Sequence, residues 1–269
     1  MKVIVFAHRL EIGGTQINAI DLATRMRDDH GIDPILFATP GPALELVRER
    51  GLRFEAAPDA RFHPSMRRIS ALRSLARRED AQLVHAWDWW QCLEAYYGLH
   101  LPAGVPMIVT DMMMDLTRIL PRSIPVTFGT PEVLDKAQQR GYRRAKLLVP
   151  PVDIDANSPG VTKAEAFRAE LGVGRNEVLI VTVSRLSHHM KGESLRRTVS
   201  AIGQIGGDLP VRFVVVGSGE VWNDLETEIA RVNKTLGRKA VVLAGELSDP
   251  RGAYDAADIV VGMGGSALR

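Results

Sequence analysis

The sequence predicts an α/β protein built as two doubly wound, Rossmann-like domains in tandem. Short β-branched runs such as KVIVFA, PILFA and EVLIVTVS alternate with longer segments of helical period. The strands are apolar throughout, which marks parallel sheets covered by helices on both faces. The pattern breaks once, at KLLVPPVDIDANSPGVTK, and then restarts. Pro, Asp, Asn and Gly crowd that stretch, so it reads as a linker. A chain of 269 residues also exceeds what one core usually serves.

The first domain is expected over residues 1–154. KVIVFA, PILFA, LRFEA, AQLVHA, PMIVT and IPVTF read as its strands. TQINAIDLATRMRDD, PALELVRER, SMRRISALRSLARRE and QCLEAYYGLH read as helices between them. In the first of these, Ile17, Ile20, Ala23 and Met26 sit three apart and form one helical stripe. Right-handed crossovers make this alternation a Rossmann-like sheet. The second domain, residues 155–269, repeats the architecture. EVLIVTVS is a strand, ESLRRTVSAIGQI a helix, and VRFVVVGSGE a strand ending in a Gly-rich turn. VWNDLETEIARVNKTL is a helix, KAVVLAGE a strand, DPRGAYDAA a short helix and DIVVG a strand. Ligands of open α/β sheets bind beyond the carboxyl ends of the strands. The site is therefore expected in the loops that follow strands, in a cleft between the domains.

Composition removes several classes. The net charge is +2 and no helix-turn-helix stands out, so nothing selects nucleic acid. The single Cys92 excludes a disulfide framework and a cysteine-based zinc site. No apolar run approaches the roughly 18 residues of a membrane span. MKVIVFAHRLEIGG lacks a signal-peptide core and cleavage site, so a cytoplasmic protein is expected.

Four loops can carry chemistry. In HRLEIGGTQ, Gly13 and Gly14 let backbone approach a ligand and feed a helix N-terminus; a flexible strand–helix turn would look the same. In SRLSHHMKGES, Arg185 and Lys191 follow a buried strand and Gly192 precedes a helix. A diphosphate could take a bidentate Arg contact, a Lys charge and the helix dipole there. On spacing alone a solvated loop is the commoner case. VVVGSGE offers Gly217 and Gly219 for close approach, and VVGMGGSALR offers Gly264, Gly265 and Ser266 as an anion nest. Bare tight turns remain open for both. HAWDWWQCLEAYY clusters Trp87, Trp89 and Trp90, whose indoles could stack on a sugar or fill a core. SMRRISALRSLARRE could lie on anionic lipid, at the inner face of a membrane, or cover the sheet with a solvated face. His188 and His189 do not make a metal site without further ligands, and no metal cluster is evident.

The order of these loops resembles that of the family 4 retaining glycosyltransferases of the GT-B fold over nearly the whole chain. VSRLSHHMKG is similar to the family's G-R-L…K-G donor-phosphate loop, and YDAADIVV to its Y-x-x-A-D segment. The resemblance implies transfer of a sugar from a nucleotide-diphosphate donor, with retention of configuration and neither metal nor cofactor. The first domain would bind a glycan, lipid-linked or small-molecule acceptor, and the second the nucleotide. Arg185 and Lys191 would stabilise the departing diphosphate. Gly13 and Gly14 would approach the diphosphate or sugar, and Glu246 and Leu247 would meet the nucleobase. His85 matches a family His after the fourth strand and, with Trp87 and Trp89, is expected to face the acceptor.

Three departures stand out. Where the family has a His after the fifth strand, VTDMMMDLTR places Met112, and Asp111 or Asp115 is the polar substitute; Asp111 is the expected catalytic group. The family's two glutamates in the terminal loop fall at Val261 and Arg269. SALR reads as the first turn of a helix, so the second domain is expected to be incomplete. These departures leave two alternatives standing: a degenerate GT-B protein that binds nucleotide or glycan without turnover, and a sugar-nucleotide epimerase.

Overall fold

A computed structural model of the protein describes residues 1–262 except 156, 161, 163 and 248, and only the backbone of His189 and Met190. The chain divides into two units, Met1–Pro151 and Val152–Arg269.

The first unit runs β1 (Lys2–Phe6), α1 (Gly14–His30), β2 (Asp33–Ala38), α2 (Leu44–Glu49), β3 (Arg53–Ala56), α3 (Met66–Glu79) and β4 (Leu83–Trp87). It continues with α4 (Asp88–Ala95), a π turn (Tyr96–His100), α5 (Leu101–Ala103), β5 (Met107–Asp111), β6 (Val126–Phe128), α6 (Pro131–Gln139) and β7 (Ala145–Leu147). The strands form one seven-stranded parallel sheet in the order β3-β2-β1-β4-β5-β6-β7.

Side chains alternate across that sheet and feed two cores. Ile4, Phe6, Phe37, Val84 and Val109 pack with Leu72 and Leu75 of α3, Cys92 of α4 and Val133 of α6. Val3, Val5 and Leu36 face the other way, against Ala19, Ile20 and Ala23 of α1 and Val47 of α2. Helices on both faces explain why the strands read as unbroken apolar runs. Ser65 Oγ accepts from Arg68 N and Thr130 Oγ1 from Val133 N, capping α3 and α6.

The second unit runs α7 (Ala164–Glu170), β8 (Val178–Val183), a π turn (His188–Gly192), α8 (Glu193–Ile205), β9 (Val211–Val216), α9 (Trp222–Leu236), β10 (Val241–Gly245), α10 (Arg251–Ala256) and β11 (Ile259–Val260). Its described strands form a parallel sheet in the order β10-β9-β8-β11. One core lies under α8 and α9, and the other gathers Leu179, Val181, Val214 and Val216 against Ala253 and Ala256 of α10.

One element differs from the sequence reading. β7 starts one residue before the stretch read as linker and takes up its first two residues, pairing Ala145 with Val126. It has three residues, of which Lys146 and Leu147 are exposed, so it offers no buried run to recognise. Asp258, in the segment that resembles a family motif, has a structural task here. It accepts from Leu179 N at 2.7 Å and from Arg168 Nη1 at 3.1 Å, tying the entry of β11 to β8 and α7. No described helix is long and apolar enough to cross a membrane.

Candidate functional site

In each sheet the strand order reverses beside the first strand of the unit. In the first unit the reversal lies between β1 and β4, and in the second between β8 and β11. Crevices beyond the carboxyl ends of strands at such points are where open α/β sheets bind ligands.

The loop after β8 carries Arg185 and Lys191. Backbone bonds fix it to the turn after β9: Ser184 N to Val216 O at 3.0 Å, Leu186 N to Ser218 O at 2.9 Å, and Val221 N to Leu186 O at 3.0 Å. Leu186 is fully buried in the core, while Arg185 beside it is exposed. The chain then winds as a π turn, closed by Gly192 N on Ser187 O at 2.9 Å. Such turns recur at functional sites because they re-aim side chains. Glu220 accepts from His188 N at 3.1 Å at the mouth of this turn. Burial pushes the Lys191 ammonium below its ordinary range. An anion beside it would recover that desolvation cost.

Gly217 and Gly219 serve this loop directly. Their φ values are 141° and 148°, a region side chains rarely adopt. A Cβ at Gly217 would collide with Ser184 O, and one at Gly219 would stand 2.6 Å from Leu186 O. The close approach that these glycines permit is made to the Arg185 loop. Ser218 Oγ donates to Glu246 Oε2 at 2.8 Å, so Glu246 lies against the same turn, and Leu247 packs on the neighbouring core. Gly264, Gly265 and Ser266 lie outside the described residues.

In the first unit, Gly13 is the N-cap of α1 in extended conformation, with no side chain capping the helix. Gly14 begins the helix, with open space where a Cβ would stand. Two of the residues expected to face the acceptor are buried. Trp87 is 0% exposed and packs in the core beneath α1 and α2. His85, on the same face of β4, is likewise buried. Its Nε2 lies 2.7 Å from Thr110 Oγ1, which lies 2.8 Å from Thr127 Oγ1. This chain crosses β4, β5 and β6, and burial pulls the His85 pKa down to about 4, leaving the ring neutral near pH 7. Trp89 is partly exposed and stacks on Trp90, with ring centroids 3.4 Å apart.

Asp111 ends β5 with its side chain 0% exposed. It accepts from Met113 N at 3.3 Å, and its Oδ2 has no partner among the described residues. Burial pushes its pKa up to about 6, and the neighbouring Asp88 adds to the rise. A carboxyl so enclosed is held by the loop that follows β5. Asp115 pairs at 2.9 Å with Lys136, on the surface.

The reversal point of the first sheet holds a pair that the sequence reading did not single out. His8 follows β1 and Asp88 follows β4. His8 Nε2 lies 2.9 Å from Asp88 Oδ2, and Asp88 Oδ1 accepts from Met112 N at 3.0 Å. Asp88 is buried and His8 half-buried. The available signal was a His and an Asp just beyond two strands that must be neighbours in a doubly wound sheet. Among the described residues, no three His, Cys, Asp or Glu side chains gather as a metal-ligand group.

The model of Glycosyltransferase Family 4 matches residues 12–150. A glycosyltransferase from Rickettsia africae ESF-5 superimposes with a TM-score of 0.76 at 14% identity, covering 96% of this chain and 72% of its own. Alr3699/HepE of Anabaena in complex with UDP gives 0.74 at 19% identity, with 97% and 73% covered. The same protein with UDP and glucose gives 0.75 at 18% identity, with the same shares covered. Identities this low speak for the fold. No curated protein matches the sequence.

Proposed function

The chain belongs to Glycosyltransferase Family 4 and has the GT-B fold, and on that premise we propose that it moves a sugar from a nucleotide-diphosphate donor to an acceptor hydroxyl. The acceptor would be a glycan, a lipid-linked sugar or a small molecule, and the anomeric configuration would be retained without a metal or cofactor. The first unit would hold the acceptor, with Trp89 as its aromatic contact, and the second the nucleotide.

The observation that carries this reading is the Arg185–Lys191 loop, which leaves the carboxyl end of β8 and is held by three backbone bonds to the end of β9 and its turn. Breaking the bond between the anomeric carbon and the diphosphate builds negative charge on the leaving oxygens. A planar guanidinium can meet two of those oxygens at once, and an ammonium adds a point charge. Cations fixed before the reaction need no reorganisation as the charge develops, and this is how such groups lower a barrier. The partly desolvated Lys191 interacts with that charge more strongly than a solvated lysine would. Glu246, close to the same turn, is the candidate for contact with the nucleoside.

The test is calorimetry with UDP, GDP, ADP and TDP on the native chain and on R185A/K191A. UDP is the first choice because Alr3699/HepE was solved with it. One diphosphate should bind preferentially, and the double variant should lose at least about tenfold in affinity, as charge-assisted hydrogen bonds imply. Unchanged affinity in the variant would refute the clamp. A new glycosidic bond formed from the matching nucleotide-sugar would then separate transfer from binding alone and from epimerisation.

A further inference from the structure

We propose that the first unit docks on an anionic lipid surface through Phe62 and Met66, with Arg61 and Arg67 as the cations beside them. The inference goes beyond the glycosyl-transfer reading and does not depend on it.

The sequence leaves α3 two uses, lying on lipid or covering the sheet. The structure gives its apolar stripe to the sheet side, where Ile69, Leu72 and Leu75 are buried. Lipid is therefore offered the N-terminal end of α3 and the loop before it. Phe62 is 79% exposed there and Met66 72%, the two most exposed large apolar side chains of the first unit among the described residues. The loop follows β3. Because the sheet is parallel, it stands at the same end as the loops after β1 and β4.

Apolar residues exposed singly are ordinary. These two are distinguished by the frame that holds them. Glu94 of α4 is fully buried, and its Oε1 accepts from Ser65 N at 2.8 Å and lies 3.1 Å from His63 Nδ1. The His63 ring lies 4.5 Å from that of Trp90. On the other side of Phe62, the buried Arg68 donates from Nε to Pro58 O at 2.8 Å and from Nη2 to Thr39 Oγ1 at 2.8 Å. Burying such polar groups is costly unless they are bonded, and both are bonded to the segment 58–65. Phe62 thus projects from a loop fixed on both sides.

Charge indicates what covers the tip. Arg61 and Arg67 are exposed and stand next in sequence to Phe62 and Met66. Among the described residues neither has a carboxylate partner. Asp59, the nearest acid in the chain, is engaged by Arg9 at 3.2 Å. α3 has no Asp or Glu before Glu79, and the face that carries Met66 continues with Ser70, Arg73, Ser74 and Arg77. An apolar tip beside unpaired cations is matched by a surface with phosphates outside and hydrocarbon beneath. Phe62 and Met66 would enter the boundary between head groups and acyl chains. Arg61 and Arg67 would keep their guanidinium groups at the phosphates, with their stems along the apolar layer. A protein partner fits less well, because a stable protein interface buries at least about 1,000 Å² and two side chains offer a fraction of that.

The test is co-sedimentation with vesicles, with no donor or acceptor sugar present. The native protein should bind phosphatidylcholine vesicles containing roughly 30% phosphatidylglycerol, come off them as salt is raised, and leave pure phosphatidylcholine vesicles unbound. F62S/M66S should lose at least about tenfold in partitioning. R61Q/R67Q should lose about fivefold for each arginine. All four positions are exposed, so the melting temperatures of both variants should match the native one. F62W adds an indole at the tip, and its added emission should move to shorter wavelength on the anionic vesicles. A native protein that leaves anionic vesicles unbound would overturn the proposal, as would folded variants that bind like the native protein or an F62W emission that does not move. Light scattering tests the other occupant: a native dimer that F62S/M66S abolishes, with no vesicle binding, would give this face to a second copy of the chain and overturn the lipid assignment.

Discussion

Two histidines and two carboxyls on the central strands of the first sheet or just beyond them show how much a side chain's surroundings decide. His85 looks like a site residue by position, yet it is neutral and enclosed, bonded sideways to Thr110. Asp111 was expected to act on the substrate, and burial makes it a group whose charge works against the fold. Its pKa rises from the ordinary 3.8 to about 6. In the unfolded chain it ionises first, so between about pH 4 and pH 6 the folded state binds the extra proton. The Asp111 contribution to stability must then fall as pH rises through that window, by about 3 kcal/mol in total from the shift to about 6. Buried His85, its pKa drawn down to about 4, acts in the opposite sense over the same range, so the reading is a difference. In urea titrations at roughly pH 4.5 and pH 7.5, the stability of the native protein relative to D111N should be lower at the higher pH. A difference that does not fall with pH would contradict the assignment. His8 and Asp88 escaped notice because neither is unusual alone. Their meaning is a distance across 80 positions of chain.

At the scale of elements, the turn after β9 sets the position of the Arg185 loop without touching a ligand. Gly217→Ala should therefore cost the fold about 2 kcal/mol or more, since it adds a strained φ to a collision with Ser184 O. Gly14→Ala makes the contrast: the position is helical and open, and should gain up to about 1 kcal/mol of stability. Thermal unfolding of both variants measures the difference, and equal behaviour would mean that the Gly217 approach is dispensable. The sequence made most strands legible because KVIVF, VLIVTV and VRFVVV are buried on both faces and carry no alternation to misread. β7 was lost in the linker because two of its three residues are exposed. Gly217 and Gly219 were visible as glycines, but what they approach, a backbone some 30 positions earlier, leaves no local trace.

For the whole molecule, each unit carries its own two cores, and every residue of the first unit's cores lies within Met1–Pro151. Residues 1–151 expressed alone should melt cooperatively, as circular dichroism would show; a broad, non-cooperative melt would mean that the second unit is needed to hold the first together. The reversal in strand order has a further consequence, in the order of synthesis. β1 emerges first but pairs with β4, and His8 finds Asp88 80 residues later. β8 likewise waits for β11, with Leu179 meeting Asp258 79 residues on. A ribosome that stalls within either interval leaves strands and helices able to form, while the seam where the candidate residues meet has no second side. The candidate loops of each unit would come together only once the fourth strand of each round has emerged, so a truncated nascent chain could begin to fold long before those loops meet.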